Sequence, residues 1–333
     1  MRPEDVLKQF SNSQVVSRLI YVVARLRIAD LLKDGPRSYK QLAESTKVHP
    51  HSLYRVLRTL ASVGVFSEIE AGLFEQTPAG SLLQSDVVGS QRALAMLLWE
   101  PWWRQGWDEL LYCVKTGKVA FDRVHGMSLF EFLSGNAEAS DLFNRAMTSF
   151  TEKESDSLLP AYDFSGFTRI VDAGGGHGGF ISAVLGAYPQ IEGVVLDLPH
   201  TIEEAKRIVR EKSVENRCFF AAGDFFKWVP EGGDLYTLKS IIHDWDDDRA
   251  VEILRNCRRA IRENGRLLMV GRVLPAGNEP SAGKIMDIVM MVNLGGIERS
   301  ATEYRALLEK ADFRMVQIIP TASAVNIMEC VPV

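Results

Sequence analysis

Apolar residues recur at helical spacing near the start of the chain, from Val15 to Leu32, and Gly35-Pro36 ends this run. The pattern then changes to shorter helical and extended segments. The predicted elements are two helices at Ser38–Thr46 and Pro50–Gly64, followed by two strands at Val65–Ile69 and Leu73–Thr77 that flank a turn at Ala71-Gly72. This order of elements predicts a helical, winged-helix-like N-terminal domain.

A mainly helical region between Leu94 and Phe150 gives way to a different pattern after Phe164. Short apolar runs there alternate with helical segments, which is typical of a parallel sheet wound with helices. The predicted strands are Thr168–Ala173, Gly193–Leu198, Arg217–Ala221, Leu235–Ser240 and Arg266–Val273, with helices at Phe180–Tyr188 and about Ala250–Ile261. The last two strands are predicted at Phe313–Pro320 and Asn326–Val331, with no helix between them. The pattern therefore predicts an α/β fold with a doubly wound, Rossmann-like sheet that ends in an antiparallel pair.

Length and composition narrow the classes of protein further. The 333 residues suggest two domains, 1–95 and 96–333, with a helical connector at about 96–160. The formal net charge of −5 argues against nucleic acid as a partner. The sequence shows neither a targeting pattern nor a membrane span, so we expect a cytoplasmic protein. The cysteines are far apart and form no CxxC pair, which predicts buried thiols.

A glycine-rich segment lies where the first predicted strand of the α/β region leads into its first helix. Within Val171–Phe180, the residues Gly174, Gly176 and Gly179 satisfy the pattern GxGxxG, and the missing side chains let a ligand approach the backbone closely. This loop alone does not distinguish a nicotinamide cofactor from S-adenosylmethionine. A flat, nucleoside-like ligand is expected at this position in either case.

Acidic residues at successive strand ends favour S-adenosylmethionine. Asp172 precedes the glycines, and a carboxylate there suits a cationic sulfonium better than a pyrophosphate. Asp197 ends the next strand, where its two oxygens can accept from both ribose hydroxyls. After the third strand, Asp224 is placed to accept from an adenine amino group while Phe225 stacks on the ring.

A second group of chemically active residues follows the fourth strand, in Leu238–Ala250. His243 is expected at the carboxyl edge of the sheet, where ligands of open α/β sheets bind. The run Asp246-Asp247-Asp248 could suggest a magnesium site. Because these acids precede an apolar helical stripe, they are better interpreted as cap and first-turn residues, and no metal site is predicted.

Taken together, these motifs resemble the plant and bacterial small-molecule O-methyltransferases of the caffeate, flavonoid and acetylserotonin type. The similarity runs nearly end to end, through VDAGGGHGG, VVLDLP, GDFF, LKSIIHDWDDD, RVLP and NLGGIER. It implies S-adenosylmethionine as cofactor in the α/β domain and a homodimer built through the N-terminal domain. The residues that it places against the cofactor are Gly174, Gly176, Asp197, Leu198, Asp224, Phe225 and Lys239.

The resemblance also implies the catalytic residues. It makes His243 the general base and Glu298 the carboxylate that orients it. Many relatives carry a second acid just before the RVLP-like segment, where this chain has Gly271. His243 is therefore expected to have either one carboxylate partner or a second one in Asp244. An ordinary imidazole, with a pKa of about 6.5, is available to take a phenolic proton at neutral pH.

The acceptor is predicted to be a small, apolar and aromatic molecule that carries a hydroxyl group. Methionines and aromatic residues adapt to flat rings, and an amide can bind a polar group. The candidate pocket residues are Phe143, Met147, Phe150, Trp245, Met286, Met290 and Asn293. The alternatives are methylation of a ring nitrogen, a relative that decarboxylates or hydroxylates, and a winged-helix regulator that senses a ligand. Arg55 and Arg58 lie on the second winged-helix segment, but the acidic chain disfavours DNA binding.

Overall fold

The computed structural model of the chain describes residues 2–333, apart from the side chains of residues 148–153 and 155. The chain divides into two compact units. The first contains the chain up to Gln105 together with Phe130–Phe150, and the second contains Gly106–Leu129 together with Thr151–Val333. The domain boundary near residue 95 stays a prediction. None of the helices in the described part of the chain is both long and apolar enough to cross a membrane.

Helices are distributed along the whole chain. In chain order they are α1 (Pro3–Arg25), α2 (Ile28–Leu31), α3 (Tyr39–Thr46), α4 (Pro50–Ser62), α5 (Pro78–Ser81), α6 (Arg92–Leu97), α7 (Pro101–Asp108), α8 (Leu110–Thr116), α9 (Ala120–His125), α10 (Leu129–Ser134), α11 (Ala137–Leu158), α12 (Gly179–Ala187), α13 (Pro199–Glu211), α14 (Asp247–Ala260), α15 (Ala282–Asn293) and α16 (Ala301–Glu309). A short 3₁₀ turn covers Ile242–Asp244.

Strands are concentrated in the second unit. In chain order they are β1 (Arg37–Ser38), β2 (Phe66–Glu70), β3 (Leu73–Gln76), β4 (Arg169–Ala173), β5 (Glu192–Asp197), β6 (Cys218–Ala222), β7 (Leu235–Lys239), β8 (Arg266–Gly271), β9 (Val273–Leu274), β10 (Arg299–Ser300), β11 (Phe313–Pro320) and β12 (Asn326–Pro332).

The first unit contains the predicted winged helix. Ser38 caps α3 in a reciprocal capping box with Gln41, and the leucines of α4 at positions 53, 57 and 60 form one buried stripe. Strands β2 and β3 pair antiparallel, and β1 adds a short third strand in the order β1-β3-β2. The winged-helix prediction is confirmed, although β1 was not predicted because two residues carry no periodic signal.

One helix prediction in this unit was wrong in its extent. The run from Val15 to Leu32 is not one helix, because α1 begins at Pro3 and ends at Arg25. Arg27 takes a left-handed backbone conformation with φ of 55° and separates α1 from α2. The bend places Ile28 and Leu32 in the hydrophobic core, so helical spacing continues although the helix does not.

The second unit contains the doubly wound sheet. Within the described residues it has seven strands in the order β11-β12-β8-β7-β4-β5-β6. Strands β6, β5, β4, β7 and β8 are parallel, whereas β12 pairs antiparallel with both β8 and β11. The predicted α/β fold and its closing antiparallel pair are confirmed. The central strands β4, β5, β7 and β8 are almost continuously buried, as expected for a sheet covered on both faces.

The winding order fixes where a ligand can bind. From β4 the chain proceeds in one direction to β5 and β6, and it then returns to place β7 and β8 on the other side of β4. Crevices of this kind, outside the carboxyl ends of strands at a reversal of strand order, are the usual ligand sites of open α/β sheets. The loops that follow β4, β5, β6 and β7 therefore meet at one edge. All four cysteines are buried and free, as predicted.

Candidate active site

The glycine-rich loop after β4 forms the centre of the crevice. Gly174 and Gly176 have φ values of +73° and +56°, which favour glycine. A side chain at Gly174 would collide with Ile241, whereas a Cβ at Gly176 would meet no described atom within 4 Å. Glycine is thus required at position 174 because this loop packs closely against Ile241 in the loop after β7. Gly176 faces open space, as a residue must where a ligand approaches the backbone.

Asp197 connects the end of β5 to this loop. Its Oδ2 accepts a hydrogen bond from the backbone N–H of Gly176 at 2.9 Å, and its Oδ1 accepts one from Leu198 at 2.7 Å. Each carboxylate oxygen has a further lone pair that can accept from a hydroxyl group. The backbone thus orients this carboxylate toward the crevice, and the half-exposed Leu198 lies beside it.

Asp172 is the buried member of the acidic group. It is 1% exposed, and its Oδ1 accepts a hydrogen bond from Thr237 Oγ1 at 2.6 Å on the neighbouring strand β7. Burial raises the pKa of Asp172 to about 6, against the opposing effects of Thr237 and of the charge on Lys239. Its carboxyl group therefore ionises much less readily than an exposed aspartate.

Asp224 and Phe225 occupy the loop after β6. Asp224 Oδ1 accepts from the backbone N–H of Phe226 at 3.0 Å, and Lys227 Nζ lies 3.6 Å from the other oxygen. The Phe225 ring packs edge-on against Phe226 and Trp245, with centroid distances of 5.0 and 6.3 Å. Phe225 is thus part of an aromatic cluster at the edge of the sheet.

Lys239 ends β7 and forms an ion pair that the sequence analysis missed. Its Nζ lies 2.7 Å from Glu154 Oε2 on α11, and both side chains are 9% exposed. Glu154 shares a buried helical stripe with Ser157 and Leu158, at the spacing i, i+3, i+4. A carboxylate on an apolar helix face was therefore the signal in the sequence that could have revealed this residue.

His243 stands beyond the end of β7, in the 3₁₀ turn, and is buried between two carboxyl groups. Its Nδ1 donates to Glu298 Oε1 at 2.9 Å, and its Nε2 lies 3.4 Å from Asp244 Oδ1. The structure therefore brings the three predicted catalytic residues together, with Asp244 beside the ring as a second acid. Asp246 caps α14 by accepting from Arg249, so the acidic run is a helix start as expected.

The electrostatic balance at His243 favours the imidazolium. Burial by itself lowers the pKa of His243, but Asp244 and Glu298 outweigh it and raise the pKa above its ordinary value, while Arg272 lowers it. Burial also raises the pKa of Asp244 to about 6. The neighbouring carboxyl groups thus increase the proton affinity of the imidazole.

The segment that carries Glu298 is held firmly to the turn that carries His243. Ile297 donates its backbone N–H to the carbonyl of His243 at 2.8 Å. The buried Arg299 donates to the carbonyl of Trp245 at 2.9 Å and to that of Ile242 at 3.1 Å. These bonds fix the imidazole and the carboxylate relative to each other, although 55 residues separate them in the chain.

The predicted acceptor-pocket residues lie in both units. Phe143 and Met147 are on the part of α11 that belongs to the first unit, where Phe143 packs near Trp103 with a centroid distance of 6.3 Å. Phe150 has its side chain outside the described residues. In the second unit, Trp245 packs against Phe226, and the fully buried Asn293 donates to the carbonyl of Val289. Met290 is buried and Met286 is partly buried.

Comparison with known proteins identifies the family. The model of the O-methyltransferase domain matches residues 107–314, and the model of the O-methyltransferase dimerisation domain matches residues 8–86. The chain belongs to the O-methyltransferase family. It is an S-adenosylmethionine-dependent methyltransferase, and the predicted winged-helix segment lies in the region that matches the dimerisation domain.

Relatives in this family act on several kinds of acceptor. The chain is 42% identical to the phenazine O-methyltransferase of Lysobacter antibioticus over 98% of this chain and 96% of that protein. It is 34% identical to the 8-amino-8-demethylriboflavin N,N-dimethyltransferase of Streptomyces davaonensis, over 97% of this chain and 94% of that protein. An O-methyltransferase from neocarzinostatin biosynthesis, solved with S-adenosylmethionine and 2-hydroxy-5-methyl naphthoic acid, superposes with a TM-score of 0.81 at 32% identity, over 95% and 96%.

The crevice fits this cofactor in shape and charge. The space beside Gly176 is open, and the acids Asp172, Asp197 and Asp224 follow three adjacent strands. A set of three carboxylates suits a ligand that carries a sulfonium and an ammonium group. The same set disfavours a pyrophosphate, so these acids make the distinction between the two cofactors that the glycine pattern alone does not make.

Proposed function

We propose that this enzyme transfers a methyl group to a hydroxyl of a small aromatic acceptor, with His243 as the general base. The supporting observation is the hydrogen bond between His243 Nδ1 and Glu298 Oε1 at the carboxyl edge of the sheet. It leaves Nε2 as the atom that can accept a proton. A histidine fixed in this way beside the cofactor crevice serves acceptor deprotonation better than simple packing.

The bound cofactor supplies an already activated methyl group on its sulfonium. The protein's remaining tasks are to align the acceptor oxygen and to remove its proton as the methyl moves. His243 takes that proton on Nε2, and Glu298 stabilises the resulting imidazolium. Asp244, 3.4 Å from Nε2, is placed to hold the proton-bearing side of the ring in position.

We assign the cofactor contacts to the strand ends. Asp197 binds the ribose hydroxyls and Asp224 the adenine amino group, with Phe225 and Leu198 against the ring. The methionine part of the cofactor would be held by Asp172, the Gly174–Gly176 turn and Lys239, at the ends of the adjacent strands β4 and β7. Within the second unit, we assign the acceptor contacts to Trp245, Met286, Met290 and Asn293.

A homodimer through the N-terminal domain is part of the same proposal. It is supported by the match to a dimerisation domain and by exposed apolar residues on α1, where Leu7 and Phe10 are 70% and 68% exposed. Sedimentation of the purified protein should give twice the chain mass. Replacing both residues with serine should shift the protein toward monomer, and an unchanged mass would place the interface elsewhere.

The decisive experiment measures methyl transfer to a panel of aromatic acceptors that carry hydroxyl or amino groups. His243→Ala should lower turnover on hydroxyl acceptors by about 10²- to 10⁴-fold, the usual contribution of a general base. Calorimetric titration with S-adenosylhomocysteine should give unchanged affinity, which shows that the fold is intact. His51→Ala, an exposed histidine of the first unit, is the matched control.

Methylation of nitrogen is the second candidate, because one relative is an N,N-dimethyltransferase. A neutral amine attacks the methyl group through its lone pair and needs no base before transfer. Turnover that is confined to amino acceptors and that survives His243→Ala would therefore replace O-methylation with this second function.

A further inference from the structure

A buried arginine lies beside the proposed base. Arg272 follows β8, is 8% exposed, and has its Nη1 3.6 Å from Glu298 Oε1. The same oxygen accepts the hydrogen bond from His243 Nδ1 at 2.9 Å. One carboxylate oxygen therefore faces both the imidazole and a guanidinium. Burying a charge is costly, so a cation in this position requires compensation from its surroundings.

The contacts of this pair are incomplete. Among the described residues, Arg272 Nε and Glu298 Oε2 are buried polar atoms without a hydrogen-bond partner. A guanidinium placed only to neutralise Glu298 would be expected to form the two parallel bonds of a bidentate pair. Arg272 instead approaches the one oxygen that the imidazole uses, which points to a role toward His243.

The charged groups that contact the His243 ring directly are acidic. Asp244 of its own turn and Glu298 both face the ring, at 3.4 and 2.9 Å. The buried Arg299 is paired with Asp247 at 2.8 Å. From α15, Asp287 accepts the backbone N–H of Glu298. Arg272 thus places a positive charge beside Glu298, one of the two acids that contact the ring.

We propose that Arg272 is a positioning residue for the base: its guanidinium shares the Glu298 carboxylate with His243 and so weakens the hold of that carboxylate on an imidazolium. This inference rests on the proposed function of His243. Two carboxylates without a cation would favour a permanently charged ring, which cannot take a proton from the acceptor. Arg272 returns part of the imidazole population to the neutral form at neutral pH.

Arg272→Met tests this role, because methionine keeps an unbranched apolar stem and removes the charge. The acid limb of the kcat/KM pH profile, which reports the base in the free enzyme, should move to higher pH by about 0.5 to 1 unit. Turnover at pH 6.5 should fall by roughly 3- to 10-fold, since each unit of pKa changes the neutral fraction tenfold. The alkaline plateau should stay within about twofold of the wild type.

Arg272→Lys should restore most of the wild-type profile, because it returns a positive charge to the same position. Arg258→Met is the control: this arginine hydrogen-bonds the carbonyls of Asp312 and Val333, away from the base, and its loss should leave the limb in place. A plateau that falls in Arg272→Met while the limb does not move would overturn the inference, since it would mean that Arg272 acts on structure alone.

The same profiles separate this inference from the proposed function. A wild-type enzyme without an acid limb, or one in which His243→Ala retains turnover, would remove His243 as the base. In another outcome, His243→Ala abolishes the acid limb of the pH profile, but Arg272→Met leaves that limb at its wild-type position. This result would support His243 as the base and reject the role of Arg272. A limb that shifts in Arg272→Met and recovers in Arg272→Lys supports both.

Discussion

The cofactor crevice and the base site lie at the same edge of the sheet, but different kinds of contact hold them together. In the crevice, Asp197 and Asp224 accept hydrogen bonds from backbone N–H groups that lie 21 or fewer residues away in the chain. In the base site, the bond that orients the ring joins two side chains, His243 and Glu298, across 55 residues, and a backbone bond from Ile297 to His243 holds the two segments together.

This difference should govern how each region responds to substitution. Backbone donors stay in place whatever the neighbouring side chains are. A substitution in the crevice should therefore remove only the contacts of the residue that is replaced. Buried side-chain charges depend on one another, so a change at one alters the proton affinity of the others. We therefore expect crevice variants to change cofactor affinity and base-site variants to change the pH dependence of turnover.

The largest effect on binding is expected from Asp197→Ala. We propose that this carboxylate accepts from two ribose hydroxyls, and each hydrogen bond to a charged acceptor contributes about 1.5–3 kcal/mol. The Kd for S-adenosylhomocysteine should therefore rise by at least about 10- to 100-fold. Turnover at saturating cofactor should change much less, and its acid limb should keep its position, since the base site is untouched.

Asp234→Ala is the matched control for this variant. Asp234 also accepts backbone N–H groups, those of Thr168 and Arg169, but it does so at the opposite end of β4 and β7. Its loss should lower the melting temperature without changing cofactor affinity. Equal weakening of binding in the two variants would show that Asp197 acts through stability of the sheet and not as a ligand.

A smaller effect on cofactor affinity is expected from a change in pH. Burial raises the pKa of Asp172 from its ordinary 3.8 to about 6, so this group stabilises the cofactor-free fold at low pH and that contribution is lost as pH rises through about 6. A cationic cofactor favours the ionised carboxylate. Affinity should therefore fall by about 3- to 10-fold between pH 7 and pH 5, with proton release on binding near pH 6.

Calorimetry in buffers of different ionisation enthalpy measures that proton release. Thr237→Val removes the hydroxyl that donates to Asp172 and should move the loss of affinity to higher pH. Asp172→Asn should remove the pH dependence that this group causes. A profile that is the same in all three proteins would show that Asp172 does not sense the cofactor.

The difference between the two regions also explains what could be predicted from the sequence. Each crevice residue lies within a few positions of a strand end, so strand prediction placed Asp197 at the end of β5 and Asp224 in the loop after β6 correctly. The alternation of strands and helices likewise gave the fold, because buried parallel strands leave long apolar runs. Local sequence patterns therefore predicted those features that depend on residues close together in the chain.

The base site shows where such reasoning ends. Glu298 was assigned only through a family resemblance, and Arg272 and Glu154 were not singled out at all. The predicted strand Arg266–Val273 places Arg272 among apolar residues, but its local sequence does not show its partner, because Glu298 lies 26 positions away along the chain. A periodic pattern can indicate that a charge is buried, as for Glu154, but it does not show which charge pairs with it. The sequence therefore could not show how strongly the imidazole holds its proton.

The smallest effect is expected at Gly271, the position at which the family resemblance implies a second acid in many relatives. A Cβ at Gly271 would meet only ordinary contacts, 3.7 Å from Tyr304 Oη and 3.9 Å from Met328 Cε. Gly271→Ala should therefore keep turnover within about twofold and leave the acid limb in place, because alanine adds no charge.

Gly193→Ala is the control glycine in the same sheet. Its Cβ would lie 2.7 Å from Ile181 Cγ1 and 3.1 Å from Leu185 Cδ1, so overpacking should destabilise the protein by about 1–3 kcal/mol and lower its melting temperature by several degrees. Gly271→Ala should melt close to the wild type. If Gly271→Ala instead moved the acid limb, the absence of a side chain at this position would itself be part of how the base is tuned, and the base site would extend to the end of β8.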